Sequence, residues 1–571
     1  IQQARAYAIM SSTMMIDKNM RGLVFSILLS GLEGVPYPIA NVSTIYLDDF
    51  PSPVYNIMKE PIASEMGISM SEFVDKVWWP DMLKLSKEFD INYTTGITFD
   101  YSTNITPPFI FSEWDRNIKE STNVSLSNWL TNSTLDNNHE LGFHGYNHVS
   151  LQKSDWKNTA HITTALKTVI KKWKVDDYGT LPVTYIPPSN MIDSIGLAKL
   201  KQGMPSIKYM SSSYFGVVHE GEGREFDIDP YNKKLFDYPR VTFEYLLDNQ
   251  KQFTKESLYL FTGIWTHFVH PDDVFQIKDA SNKKTAGNYG YRNALGLGWH
   301  TSKDGSPGLY PRFRNLLASH KKTFPKSRFL KASDAAEIVN NWRSSSYNHL
   351  ENNELYTVKK KGESNLLLHY WFAYTSNSNL REVETFLKNN KITYSKTTLL
   401  NGYLINATTK LPGITLPNIK PLLKDENTYE SHLVYKKYTE YLEVQKSMND
   451  DTFIVEKEYN EEEEFVKEMK FLKKQMFLNK VIDTTYWNRF ARLNNWKDKS
   501  EVVWKNLDSF HQLQPKLTTA MYTDKLAKIS WYPTEKIKEK WLLEQIKLDS
   551  NNVKLLHKYV KHYNTKDNSK R

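Results

Sequence analysis

The feature that most constrains this chain is a rhythm of short β-rich runs separated by helical stretches, beginning at residue 43. The runs are STIYLDD (43–49), NYTTGITFD (92–100), HELGFH (139–144), PVTYIPP (182–188), SIKYMSSS (206–213), KLFDYPRVT (234–242) and SLYLFTGIWTHF (257–268). Between them lie helix-like segments such as SEFVDKVWWPDMLKLSKEF and TAHITTALKTVIKKWK. Strand–helix alternation of this kind implies a parallel sheet with crossover helices. Seven repeats point to a barrel rather than an open sheet. A last helix, YPRFRNLLASHKK, followed by SRFLKASDAAEIVNNWRSS, closes the unit near residue 345.

The flanks read differently. Residues 1–42 are expected to be a helical N-terminal segment, the tail of a region not in the sequence. Residues 346–425, with NLLLHYWFAYT and TTLLNGYLINATT, read as a small β-rich module. From 426 to 571 the chain turns Lys/Glu-rich and helical. There EEEEFVKEMKFLKKQMF sets Phe465, Met469, Leu472 and Met476 on one helix face, with Glu463 and Lys467 paired at i,i+4. These helices lack any cluster with acid–base or ligand spacing, and are expected to contact a protein or polymer partner rather than supply catalytic groups.

Composition narrows the chemistry. With 40% hydrophobic residues in 571, a large core is available. There is no cysteine, which excludes thiol catalysis, disulfides and zinc–thiolate sites. Any metal must therefore sit on histidine, carboxylate or water. Absence of cysteine also fits an extracytoplasmic protein of the periplasm or cell surface. The net charge of +9 arises from 74 basic and 65 acidic residues with no compact basic patch, so nucleic acid is not an expected partner. The most apolar early stretch, GLVFSILLSGLEGVPYPIA, is interrupted by Glu33 and two prolines and is too short to span a bilayer.

Three groups fall at the carboxyl ends of the first, third and seventh runs, the face where barrel enzymes place their chemistry. The first run ends in Asp48–Asp49. HELGFHGYNH carries His144 and His148, four apart. WTHFVHPDD offers His267 and His270. A carboxylate and two imidazoles with one position left for water make a catalytic zinc set. The spare aspartate can take the water's proton, and a further histidine can protonate the leaving group. A rival enzyme is a glycoside hydrolase pairing Asp48 or Asp49 with Asp100 or Glu113, but such enzymes need facing carboxylates and no histidine pair. A rival of another class is a non-catalytic polysaccharide-binding or assembly protein on a decayed barrel.

YLDDFP, FHGYNH and THFVHPDD, in that order and spacing, resemble the motifs of polysaccharide deacetylases of the NodB-homology type (carbohydrate esterase family 4 and relatives), across roughly residues 43–345. The chain looks like a divergent member, of a branch linked to exopolysaccharide assembly. The resemblance implies a deformed seven-stranded (β/α) barrel that removes acetyl groups from a carbohydrate polymer with a divalent metal, zinc by expectation. It makes Asp48 the base, Asp49, His144 and His148 the metal ligands, and His270 or His267 the acid. The sequence departs from the pattern at the fourth run, where YIPPSN offers Asn190 but no arginine. Arg240, in DYPRVT, is the candidate to orient the base instead. Arg240 and Asn190 are expected on the substrate side, with Asp100 either lining the cleft or capping a turn.

Overall fold

The computed structural model describes residues 18, 21–119, 122–215, 223–276, 293, 295–364, 366–399, 402–419, 543, 546 and 547. The helical domain expected over 426–571 and the first part of the expected N-terminal segment lie outside them. The elements below all fall within one compact unit, Ile1–Thr428.

The fold is mixed α/β on an eight-stranded, wholly parallel, curled sheet. Its strands are β1 (Val42–Leu47), β2 (Thr94–Asp100), β3 (Glu140–Asn147), β4 (Thr184–Tyr185), β5 (Tyr209–Met210), β6 (Phe236–Asp237), β7 (Thr242–Phe243) and β8 (Ile264–Val269), in the order β7-β8-β1-β2-β3-β4-β5-β6. The expected count of seven becomes eight because the run 234–242 is divided. Pro239 has no amide to give a ladder, and the chain changes partner there. Tyr238 and Arg240 donate their amides to the Met210 and Ser212 carbonyls, whereas Val241 donates to Thr266. One stretch thus supplies both edges of the sheet.

Helices α1 (Arg21–Gly31), α2 (Trp79–Phe89), α3 (Leu126–Asp136), α4 (Ala160–Val175), α5 (Ser194–Gly203), α6 (Asn249–Thr262), α7 (Leu309–Thr323) and α8 (Ala332–Ser344) accompany the sheet. Strand alternation divides β1 between two cores. Ile45 and Leu47 join Trp78, Trp79, Phe313 and Leu317 on the helix side. Val42 and Tyr46 turn inward with Ile186, Tyr238 and Ala335, filling the curl. The outer faces of β3 and β4 (Leu141, Phe143, Tyr185) pack on α4 and α5 through Leu166, Val169, Leu197 and Leu200.

The last run is corrected at its start: 257–262 belong to α6, and the strand begins at Ile264. Gly263 ends the helix with φ +69°, a conformation glycine adopts freely. A Cβ there would lie 2.8 Å from the Asn41 amide nitrogen and from the Ile39 side chain.

The β-rich segment forms two antiparallel sheets. In one, Tyr37–Ile39 pairs with His369–Ser376, which pairs with Gly402–Thr409 and through it with Thr393–Leu399. The other joins Tyr347–Glu351, Leu355–Lys360 and Gly413–Pro417. Among the described residues, no helix is long and apolar enough to cross a membrane.

Gly263→Ala is expected to lower the unfolding free energy by about 1–3 kcal/mol, combining left-handed strain with overpacking. Urea denaturation of the two proteins measures the difference.

Candidate metal centre

Val42, Thr44 and Tyr46 face inward along β1, so Asp48 continues the same row at the mouth of the curl. Asp49 would point outward in a straight strand. Its φ of +51° breaks the alternation and brings a second carboxylate to the same place. Two backbone bonds pin this turn: Asp48 donates its amide to the Val269 carbonyl, and Phe50 donates to Gly96. Gly96 also makes room, since a Cβ there would stand 3.4 Å from both Asp48 Cα and His144 Cβ.

On β3 the register with β2 slips by one residue. Ile97 faces Phe143 but Thr98 faces Gly145, leaving His144 as the extra residue of a bulge. Bulges re-aim side chains in this way. His144 is 2% exposed. Its Nδ1 lies 2.8 Å from the Ile186 carbonyl oxygen, which only accepts, so Nδ1 carries the proton and Nε2 the lone pair. That Nε2 is buried, makes no hydrogen bond, and lies 3.5 Å from Asp49 Oδ1. Burial, opposed by Asp49, pushes the ring's pKa down to about 4, keeping it neutral at pH 7. His148 Nε2 stands 3.9 Å from Asp49 Oδ2, and the two imidazole centroids are 5.1 Å apart.

One ligand atom from each of Asp49, His144 and His148 lies within 4.8 Å of the others, so the trio can hold a metal ion. The donor chemistry fits: a neutral imidazole whose far nitrogen is fixed by a backbone carbonyl is how proteins present a metal ligand. No cysteine competes.

Beside this trio lies a second set. The Arg240 guanidinium forms a buried ion pair with Asp48 and donates its other arm to Asn190 Oδ1. It lies 4.3 Å from the Phe268 ring centroid. Burial lowers the Arg240 pKa to about 9, which still leaves it charged at neutral pH. His270 Nε2 is 3.8 Å from Asp48 Oδ2, while its Nδ1 donates to Asp273 Oδ2 at 2.9 Å. Burial works against the His270 imidazolium, but Asp273 with Asp49 and Asp272 outweighs it and raises the pKa.

Two expected residues sit elsewhere. His267 follows the outward row of Trp265 and Val269. Its Nδ1 pairs with Thr242 Oγ1 at 2.9 Å and its ring stacks on Phe313. Burial pushes its pKa down to about 3, so it is a neutral histidine in the core. Asp100 turns onto the Ser102 amide and hydroxyl, capping the turn after β2. Glu113 accepts from the Tyr101 amide at 2.7 Å.

Two residues passed unnoticed in the sequence. Asp273 takes both Nδ1 and the backbone amide of His270, and its spacing three residues on is that of a helix-capping pair. The Tyr101 ring lies 6.2 Å from the His148 ring, centroid to centroid, and nothing in the sequence marks it.

The chain belongs to a family described as "Uncharacterised protein conserved in bacteria (DUF2194)", whose profile matches residues 2–393. No curated protein matches it. Among solved structures it is similar to Thermotoga maritima alpha-fucosidase, at 9% identity and a TM-score of 0.25 over 69% of this chain and 98% of that one. The same enzyme in complex with a mechanism-based inhibitor is similar at 10% identity and a TM-score of 0.22, over 67% and 95%. Likeness at that level carries no inference.

Two outcomes are expected. After incubation with a divalent cation and gel filtration, elemental analysis should find one ion per chain; His144→Ala and Asp49→Asn should hold none, while Asp48→Asn retains it. Separately, acid should destabilise the metal-free fold. Burial holds His267 near 3 and His139 near 4 against 6.5 for an open imidazole. Between pH 6.5 and 4 the unfolded rings take up protons that the folded ones refuse, so stability falls as pH falls. The slope is at most about 1.4 kcal/mol per pH unit for each ring. Thermal melts at pH 7 and pH 5 check the sign.

Proposed function

We propose that this chain is a metal-dependent hydrolase of the polysaccharide-deacetylase type, a deformed (β/α) barrel that removes acetyl groups from a carbohydrate polymer outside the cytoplasm. The observation that supports the reading is the Asp49–His144–His148 trio, with Asp48 and His270 within 3.8 Å of each other beside it. A trio of two imidazoles and one carboxylate with an open position suits zinc.

When bound, a divalent cation there would acidify a water and polarise the acetyl carbonyl. The chain's own residues do the rest. Asp48 takes the proton of the attacking water. The Arg240 ion pair holds it in place on Oδ2, while Oδ1 is buried without a hydrogen-bond partner. Asn190 fixes the guanidinium's other arm, so Arg240 and Asn190 together stand in for the arginine missing from YIPPSN. Asp273 keeps the His270 proton on Nδ1 and its Nε2 toward Asp48, and the imidazolium gives a proton to the leaving oxygen or nitrogen.

The two-carboxylate glycosidase remains the rival reading, with Asp100 or Glu113 as second partner. Each of those carboxylates already accepts a backbone amide. Assay of the zinc-loaded protein on acetylated glycans should release acetate. Asp48→Asn and His270→Ala should each lose about 10²–10⁴-fold in kcat. Release of reducing ends without acetate, abolished by Asp100→Asn, would replace this reading with the glycosidase.

A further inference from the structure

A cleft of about 210 Å³ is lined in part by Asp49 and by neither of the two histidines. Its walls come from the segment after β1, from Tyr101 after β2, and from the turn after β8. The wall residues that decide its character are Val54, Met70, Val74, Phe275, Tyr55 and Tyr101. Asp49, Ser52 and Asp272 are its other polar lining residues. The Tyr55 hydroxyl faces Glu113 Oε2 at 3.5 Å. What is left to a ligand is mainly aliphatic and aromatic surface.

Resting on the hydrolase reading above, we infer that this cleft is the acyl pocket, and that beyond acetyl the site takes apolar acyl chains longer than it. Size argues for it. An acetyl methyl, a group about the size of a water, would fill only a small part of this space, and several methylenes are needed to fill it. Polarity argues against a sugar ring in the same place, because its hydroxyls would lose water against the Val54, Met70, Val74 and Phe275 side of the wall, an expensive arrangement. The shared wall is Asp49, so a carbonyl held at the trio can direct its acyl chain into the cleft and its sugar outward.

The reaction stays a hydrolysis. Water's oxygen bonds the acyl carbon, and the bond from that carbon to the sugar oxygen breaks with its electron pair on the oxygen. The oxygen then takes a proton, and a free carboxylate leaves the cleft.

The test compares 4-nitrophenyl acetate, butyrate and hexanoate with the zinc-loaded protein. The hexanoate ester should exceed the acetate ester by about tenfold or more in kcat/KM, since each well-buried methylene is worth that much or more. Val54→Trp, on a half-buried loop position, should lower the hexanoate-to-acetate ratio by about tenfold, a ratio that a general loss of folded protein would not move. Sodium hexanoate should also bind the metal-free wild type, measured by calorimetry, and bind Val54→Trp more weakly. Preference for acetate, or a ratio that Val54→Trp leaves unchanged, overturns the acyl pocket and leaves the deacetylase reading standing. Failure to hydrolyse any of the three esters or an acetylated glycan overturns both.

Discussion

The arrangement at the mouth of the sheet depends on one buried ion pair, Asp48 with Arg240. Both side chains are 2% exposed. Taking two charges out of water is costly, and the pair is tolerated only where geometry and further hydrogen bonds complete it. Here the completion is visible. Asn190 receives the other arm of the guanidinium, Phe268 lies beneath its plane, and the backbone on both sides of Arg240 is bonded to Ser212 and Tyr214. Arg240 sits in the stretch that supplies both sheet edges. The pair therefore ties the end of β1 to the place where the sheet's partners change, and the carboxylate at the mouth and the curl of the fold are held by the same contact.

Around that pair, the protein sets two histidines to opposite tasks with ordinary means. His144 meets a backbone carbonyl through Nδ1, which fixes its tautomer, and burial keeps it neutral with a lone pair aimed at Asp49. His270 meets a carboxylate through the same nitrogen, and Asp273 raises its affinity for a proton. One ring is held neutral with a free lone pair, and the other holds its proton more tightly. The difference lies in what the far nitrogen touches, a neutral carbonyl in one case and a carboxylate in the other.

Much of this was legible in the sequence, and the parts that were not have local causes. The strand–helix alternation and the places of β1 and β2 could be read because buried parallel strands leave β-rich runs bounded by turns, whereas β3, read as 139–144, runs on to Asn147 and carries His144 inside it. The choice between His267 and His270 was also present in principle. His267 shares the parity of Trp265 and Val269, and His270 that of Thr266 and Phe268. The start of β8 was hidden because SLYLF is apolar enough for either element, and only Gly263 marks the helix end. The split of β6 from β7 turns on Pro239, a residue compatible with an edge or a bend. The bulge at His144 is a tertiary matter: nothing in GFHG declares a one-residue slip that appears only when Ile97 and Thr98 find their partners.

The same logic bears on how much of the chain the site requires. The apolar cluster beneath the mouth contains Trp78, Trp265 and Phe313, and also Tyr370, Phe372, Tyr374 and Leu404 from the β-rich segment. Tyr37–Ile39, just before β1, is a strand of that segment's sheet. The Gly34 amide bonds Tyr374, and the Ser376 amide bonds the Glu33 carboxylate. A cut near residue 345 would leave Tyr37–Ile39 without its partner strand and open the cluster that supports β1. The family profile is consistent with this dependence, since its match runs past 345 to residue 393. Asp48 and Asp49 are thus carried on a strand anchored at one end by the curled sheet and at the other by residues more than three hundred positions later in the chain.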